Sequence, residues 1–143
     1  MTQLSTPQIL EIARRLHGAG DVQRAAVIYS QILAREPNHA DTLNLLGILT
    51  SQMGRHEQAM ELINRAIAAN PLNAEYRVNL GVVLEALGRE EEAVTAYRLA
   101  VELQPKQVVA QANLGHALSR RKRWDEAIAA YRAAVAGRVR SAG

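Results

Sequence analysis

The chain has 143 residues, 48% apolar and 22% charged, with a formal charge of +3. That balance excludes a disordered polar chain, and the lack of cysteine excludes disulfides and thiolate chemistry. The first residues, MTQLSTPQ, have neither a basic start nor an apolar core, so no signal peptide is expected, and no apolar run approaches the ~20 residues that span a bilayer. The expectation is a cytoplasmic protein with no membrane contact.

From Thr6 onward the sequence falls into four units without insertion, at 6–39, 40–73, 74–107 and 108–141. The register is clearest between the second and third. Leu46-Gly47 aligns with Leu80-Gly81, Gly54-Arg55 with Gly88-Arg89, and Pro71 with Pro105. A repeat of this length fixes the architecture before any single residue is interpreted. Residues 1–143 then read as one repeat domain. Thr6-Pro7 suits a helix start, a hydroxyl cap followed by Pro at the first helical position. The first helices are predicted at 7–19, 41–53, 75–87 and 109–121, and the second helices at 22–34, 56–69, 90–103 and 124–136. Gly20, Gly54 and Gly88 fall between the helices of a unit, where a left-handed residue ends a helix cheaply. Pro37, Pro71 and Pro105 follow the second helices and block their continuation. No strand signal appears.

Positions within a unit are numbered here as places, counted from its first residue. Place eight holds Ala13, Gly47, Gly81 and Gly115; place twenty holds Ala25, Ala59, Ala93 and Ala127. Small residues there let the two helices approach, Gly81 against Ala93 for example. Large residues then interdigitate: Ile12, Leu46, Leu80 and Leu114 at place seven, Tyr29, Ile63, Tyr97 and Tyr131 at place twenty-four. A helix pair cannot bury its apolar stripe alone, so each pair stacks on the next.

This pattern resembles the tetratricopeptide repeat family over 6–141. The resemblance implies an all-α, right-handed superhelical solenoid of four helix-turn-helix pairs, eight antiparallel helices, with first helices lining a concave face. It also implies a non-enzymatic scaffold that binds a protein or peptide partner. The terminal units depart most from the pattern. Place twenty-seven is Ile32 in the first unit, and in the last Lys122 stands for the turn Gly and Val139 for the Pro. Place four, often Trp or Leu in the family, is Arg77 and Gln111 in the third and fourth units.

Catalytic and metal chemistry find little support. Gly18-Ala19-Gly20 follows a helix and not a strand, so it reads as a turn, not a nucleotide loop. His17, His39, His56 and His116 lack metal-ligand spacing. Glu90-Glu91-Glu92 opens a helix, where carboxylates favour the positive end of the dipole. Trp124 is expected to pack at the start of its helix. No nucleophile, base and oxyanion site assembles. No catalytic residue, cofactor site or metal site is expected.

Charge is uneven. The last unit has seven Lys and Arg against two Asp and Glu, including Arg120-Arg121-Lys122-Arg123. Such a cluster can bind phosphate backbones, but no aromatic stacking platform accompanies it. Nucleic acid is therefore the third reading.

After Ala136 the sequence is GRVRSAG, and no capping helix is evident. Ile128, Val135 and Leu118 are expected to stay partly uncovered, which predicts weak self-association. The middle repeats are also similar to those that precede bacterial glycosyltransferase domains related to O-linked N-acetylglucosamine transferase. The second reading is thus the substrate-recognition part of such an enzyme.

Places two, five, six, nine, twelve and thirteen of the first helices are expected on the concave face. The partner site drawn from them is Asn44, Ile48, Val78, Asn79, Val82, Asn113, His116 and Arg120. In the family, Asn at place six hydrogen-bonds an extended peptide, and Asn79 and Asn113 hold that place in successive repeats. Apolar neighbours would supply the anchors.

Overall fold

At each expected reversal the backbone passes through a left-handed residue: Gly20 at φ 87°, Gly54 at 82°, Gly88 at 75°, and Lys122 at 60°. The amide of the next residue closes the turn on the preceding helix, Asp21 on the Leu16 carbonyl and Arg123 on that of Leu118 (both 2.9 Å). Eight helices result in a computed structural model that describes residues 3–142, with side chains to 138. They are α1 (Thr6–Gly18), α2 (Val22–Arg35), α3 (Ala40–Gln52), α4 (His56–Ala69), α5 (Ala74–Ala86), α6 (Glu90–Leu103), α7 (Val108–Arg120) and α8 (Trp124–Ala142). The class is all-α, with no strand among the described residues.

The first helices begin and end one residue earlier than expected. The cause is the cap. Ser5, not Thr6, caps α1 in a reciprocal capping box with Gln8. His39, Asn73 and Gln107, the last places of their units, then accept from the amides of Thr42, Tyr76 and Ala110. The residue that ends one repeat therefore starts the first helix of the next. Pro37 and Pro105 sit just before these caps, inside turns closed by the amides of His39 and Gln107 on the carbonyls of Glu36 and Gln104.

The last helix was expected to stop at Ala136 and runs to Ala142. Val139 stands where the other units have Pro, so nothing removes the amide that continues the ladder. At its first residue, Gly137, the extension passes close to the start of α7. A Cβ on Gly137 would lie 2.9 Å from Val108 Cγ2.

The chain divides into two compact units, Met1–Pro71 and Leu72–Gly143, each holding two helix pairs. In the first unit α1 packs on α2, α2 on α3 and α3 on α4. Leu10, Ala13, Ala25, Tyr29, Ile32 and Leu49 form its buried cluster at the α1 end. In the second unit α5 to α8 pack in the same succession, and α5 also touches α7. Its buried residues include Ala93, Tyr97, Ala100, Ala110, Leu118 and Ala130.

The close approach inside each pair differs in detail from the small-on-small expectation. A Cβ on Gly81 would overlap the ring of Tyr97, the nearest group, ahead of Ala93. One on Gly115 would lie 2.9 Å from the Tyr131 ring, and one on Gly47 2.6 Å from Ile63. The missing Cβ at place eight makes room for the large side chain at place twenty-four.

Three apolar expectations fail, two of them at the outer helices. Ile12 is 44% exposed and Trp124 57% exposed, because among the described residues no helix covers the outer faces of α1 and α8. Leu118, expected to be partly uncovered, is buried within the second unit.

Candidate functional site

The expected partner residues separate into buried and accessible sets. Asn44 on α3 and Val78 on α5 are buried, so neither presents a side chain to a partner. Both occupy place five, where Leu10 is buried too: that place faces the core. Ile48, Asn79 and Asn113 are half-buried, while Val82, His116 and Arg120 are exposed. In the second unit, α5 carries Asn79 and Val82, and α7, which touches it, carries Asn113, His116 and Arg120. Val82 is 49% exposed, an apolar side chain open to solvent.

A polar bridge absent from the sequence-based expectation recurs in both units. In the first, the Tyr29 hydroxyl lies 3.2 Å from His17 Nδ1, and His17 Nε2 lies 2.7 Å from Gln52 Oε1. One ring nitrogen of a neutral imidazole donates and the other accepts, so His17 can link the hydroxyl and the amide. In the second, the Tyr97 hydroxyl donates to Glu85, and Arg120 Nη1 donates to the other Glu85 oxygen at 2.9 Å. Each bridge links place twelve, the Tyr of place twenty-four, and place thirteen of the following repeat. The signal in the sequence was Tyr at place twenty-four, whose buried hydroxyl needs a partner. Burial raises the pKa of both tyrosines. For Tyr97 the Glu85 hydrogen bond and charge add to the rise and Arg120 opposes it; for Tyr29 only Arg14 opposes it.

An open pocket of about 430 Å³ adjoins the first bridge, lined by Arg14, His17, Tyr29, Leu45 and Gln52 among others. Two of the other histidines have local roles. His39 caps α3, and His56 Nδ1 lies 2.9 Å from Ser51 Oγ. Among the described residues no group of three or more His, Asp or Glu is placed to hold a metal ion, and no helix is long and apolar enough to cross a membrane.

The basic run of the last repeat is largely paired. Arg120 contacts Glu85, Arg121 contacts Glu90 and Glu91, and Arg123 contacts Glu91 and Glu126. Glu126 also receives Arg98 at 2.6 Å. The Arg123 hydrogen bond, helped by the charges of Arg123 and Arg98, holds the Glu126 carboxyl below its ordinary pKa against the opposing effect of desolvation.

Three family models, each described as tetratricopeptide repeat, match residues 16–80, 74–107 and 108–143. No curated protein matches the chain. Among solved structures, a crystal structure of MamA superposes with a TM-score of 0.86 at 21% identity, over 95% of this chain and 80% of that one. MamA from Desulfovibrio magneticus RS-1 gives 0.83 at 21% identity, over 94% and 76%. A mutant O-GlcNAc transferase of Thermobaculum terrenum gives 0.76 at 33% identity, over 82% of this chain and 23% of that one. The MamA likenesses establish the fold.

Proposed function

The chain belongs to the tetratricopeptide repeat family, and from that premise we propose that it is a non-enzymatic scaffold of the cytoplasm that holds a peptide segment of a partner protein against its first helices. One observation carries the reading. Val82 stands half exposed on α5, on the helix that bears Asn79, and α7 beside it bears Asn113 and His116. An amide offers a donor and an acceptor to a peptide backbone. The apolar side chain offers an anchor, and truncating a central anchor costs about 2 kcal/mol or more when it is a hot spot. The segment that fits is an extended or helical peptide with an apolar side chain for Val82.

Peptides selected from a random display library on the intact chain test the proposal. The Asn79→Ala, Val82→Glu double variant, with helicity checked by circular dichroism, should lose the selected peptides. Undiminished binding of all of them would place the partner site elsewhere.

A second reading has one observation in its favour, the 33% identity to the Thermobaculum terrenum O-GlcNAc transferase. On that reading the repeats recognise the substrate of a larger glycosyltransferase. A reading frame that continues past Gly143 into a glycosyltransferase domain would favour it; a stop codon there would remove it.

A further inference from the structure

Helix α8 carries an apolar stripe on its outer face. Ile128 is 48%, Tyr131 39% and Val135 58% exposed, and with Ala136 they line an open groove of about 420 Å³. The chain itself shows what covers this stripe when it is covered. The same places on α6 are Val94, Tyr97 and Val101. Val94 and Tyr97 are buried and Val101 half-buried, and α7, the first helix of the next repeat, packs on α6. On α2 the corresponding Tyr29 is likewise buried, and Leu46 of α3 packs against its cluster. In both units, then, the cover is a first helix, and that helix carries an apolar residue at place seven, Leu46 or Leu114.

One first helix presents that residue uncovered: α1, where Ile12 holds place seven and is 44% exposed. We propose that α8 of one copy of this chain receives α1 of a second copy, with Ile12 seated in the groove of Ile128, Tyr131 and Val135. The contact continues the internal stacking from copy to copy. It is head to tail, so each added copy leaves one α1 face and one α8 face open to the next.

The charges at this joint differ from those inside the chain. Between α6 and α7, Arg121 and Arg123 pair with Glu90 and Glu91. At the corresponding places α8 offers Trp124 and Asp125, and the end of α1 offers Ala19 and Asp21. At these places no opposite charges meet and two aspartates oppose each other, and the groove's own cation is Arg132. The association is therefore apolar and weak, and added salt strengthens it instead of dissolving it.

Sedimentation of the intact chain from micromolar to millimolar concentration tests this. The expected result is reversible growth beyond the monomer, with the emission of Trp124, the single tryptophan, moving to the blue. Ile128→Glu and Ile12→Glu each change an exposed side chain, so helicity should be unchanged. Each variant alone should be a monomer. Mixed in equal amounts they should form a dimer and nothing larger, because one keeps α1 and the other keeps α8. A parent chain that stays monomeric at millimolar concentration overturns the proposal. So does an Ile12→Glu variant that associates like the parent, since α8 would then be meeting α8 or another surface.

Discussion

The Tyr97 hydroxyl on α6 donates to the Glu85 carboxylate on α5, while its ring fills the space left by the missing Cβ of Gly81. One side chain thus sets both the spacing of a helix pair and its polar contact. The hydrogen bond is lost in Tyr97→Phe, which leaves the packing intact. Hydrogen bonds to charged groups contribute about 1.5–3 kcal/mol; since Arg120 still pairs with Glu85, the expected loss is at the low end, about 1–2 kcal/mol in urea unfolding.

The same tyrosine makes stability depend on alkaline pH. Its folded pKa is raised from the ordinary 10.0, chiefly by burial, and that of Tyr29 is raised for the same reason. Below about pH 9 both residues are protonated in the folded and unfolded chains, so they add no slope. Above it the unfolded chain loses their protons first, and stability falls as pH rises. Each raised tyrosine contributes up to about 1.4 kcal/mol per pH unit. Denaturant midpoints between pH 9 and about 11 should fall less steeply for Tyr97→Phe than for the parent. Equal slopes would show that Tyr97 ionises as readily in the folded chain as in the unfolded one.

Gly81 gives the packing prediction. Gly81→Leu should cost about 1–3 kcal/mol by overpacking against the Tyr97 ring. Gly18 supplies the control. A Cβ there meets nothing within 4 Å, so Gly18→Ala in the last turn of α1 should be neutral or stabilising by up to about 1 kcal/mol. Equal losses at the two sites would mean that the Tyr97 contact is not what makes Gly81 necessary.

The repeat register made the fold legible, because a fixed spacing of Gly, Ala and Pro dictates where helices stop and where they can touch. It located α4 and α6 to the residue and the others to within one, except at the end of α8. It was less informative about faces. Place five points to the core in Leu10, Asn44 and Val78 alike, yet the polar Asn44 looked like a surface residue. Ile12 and Trp124 fit an apolar pattern, but a pattern cannot say whether another helix covers it. The place-twelve bridges escaped notice because His17 and Glu85 differ in chemistry, and the hydroxyl they share comes from a different helix.

Lys122 tests the turn chemistry. It adopts φ 60° where the other three repeats use Gly. A left-handed conformation costs an L-residue roughly 1–2 kcal/mol, while Gly loses more chain entropy on folding. Lys122→Gly should therefore stabilise the chain by about 0.5–1 kcal/mol, read as a higher thermal midpoint. A lower midpoint would mean that the lysine side chain contributes more than its backbone costs.

The basic run gives the last prediction. Salt-dependent affinity for nucleic acid comes from cations that release counterions from phosphates. An arginine already held by a carboxylate must first leave it, and Arg120, Arg121 and Arg123 are all so held. The parent chain should show no saturable binding to a short labelled duplex at about 0.15 M salt, where exposed charges are screened beyond ~8 Å. Glu91→Gln with Glu126→Gln removes the carboxylates that hold Arg98 and Arg123 and one of the two that hold Arg121. Each exposed pair contributes only about 0.2–1 kcal/mol, so the variant should remain folded. At low salt its affinity for the duplex should rise several-fold, measured by fluorescence anisotropy, with a steeper dependence on salt than the parent. Tight, salt-sensitive binding by the parent itself would show that these ion pairs open readily and that the last repeat is a nucleic-acid surface after all.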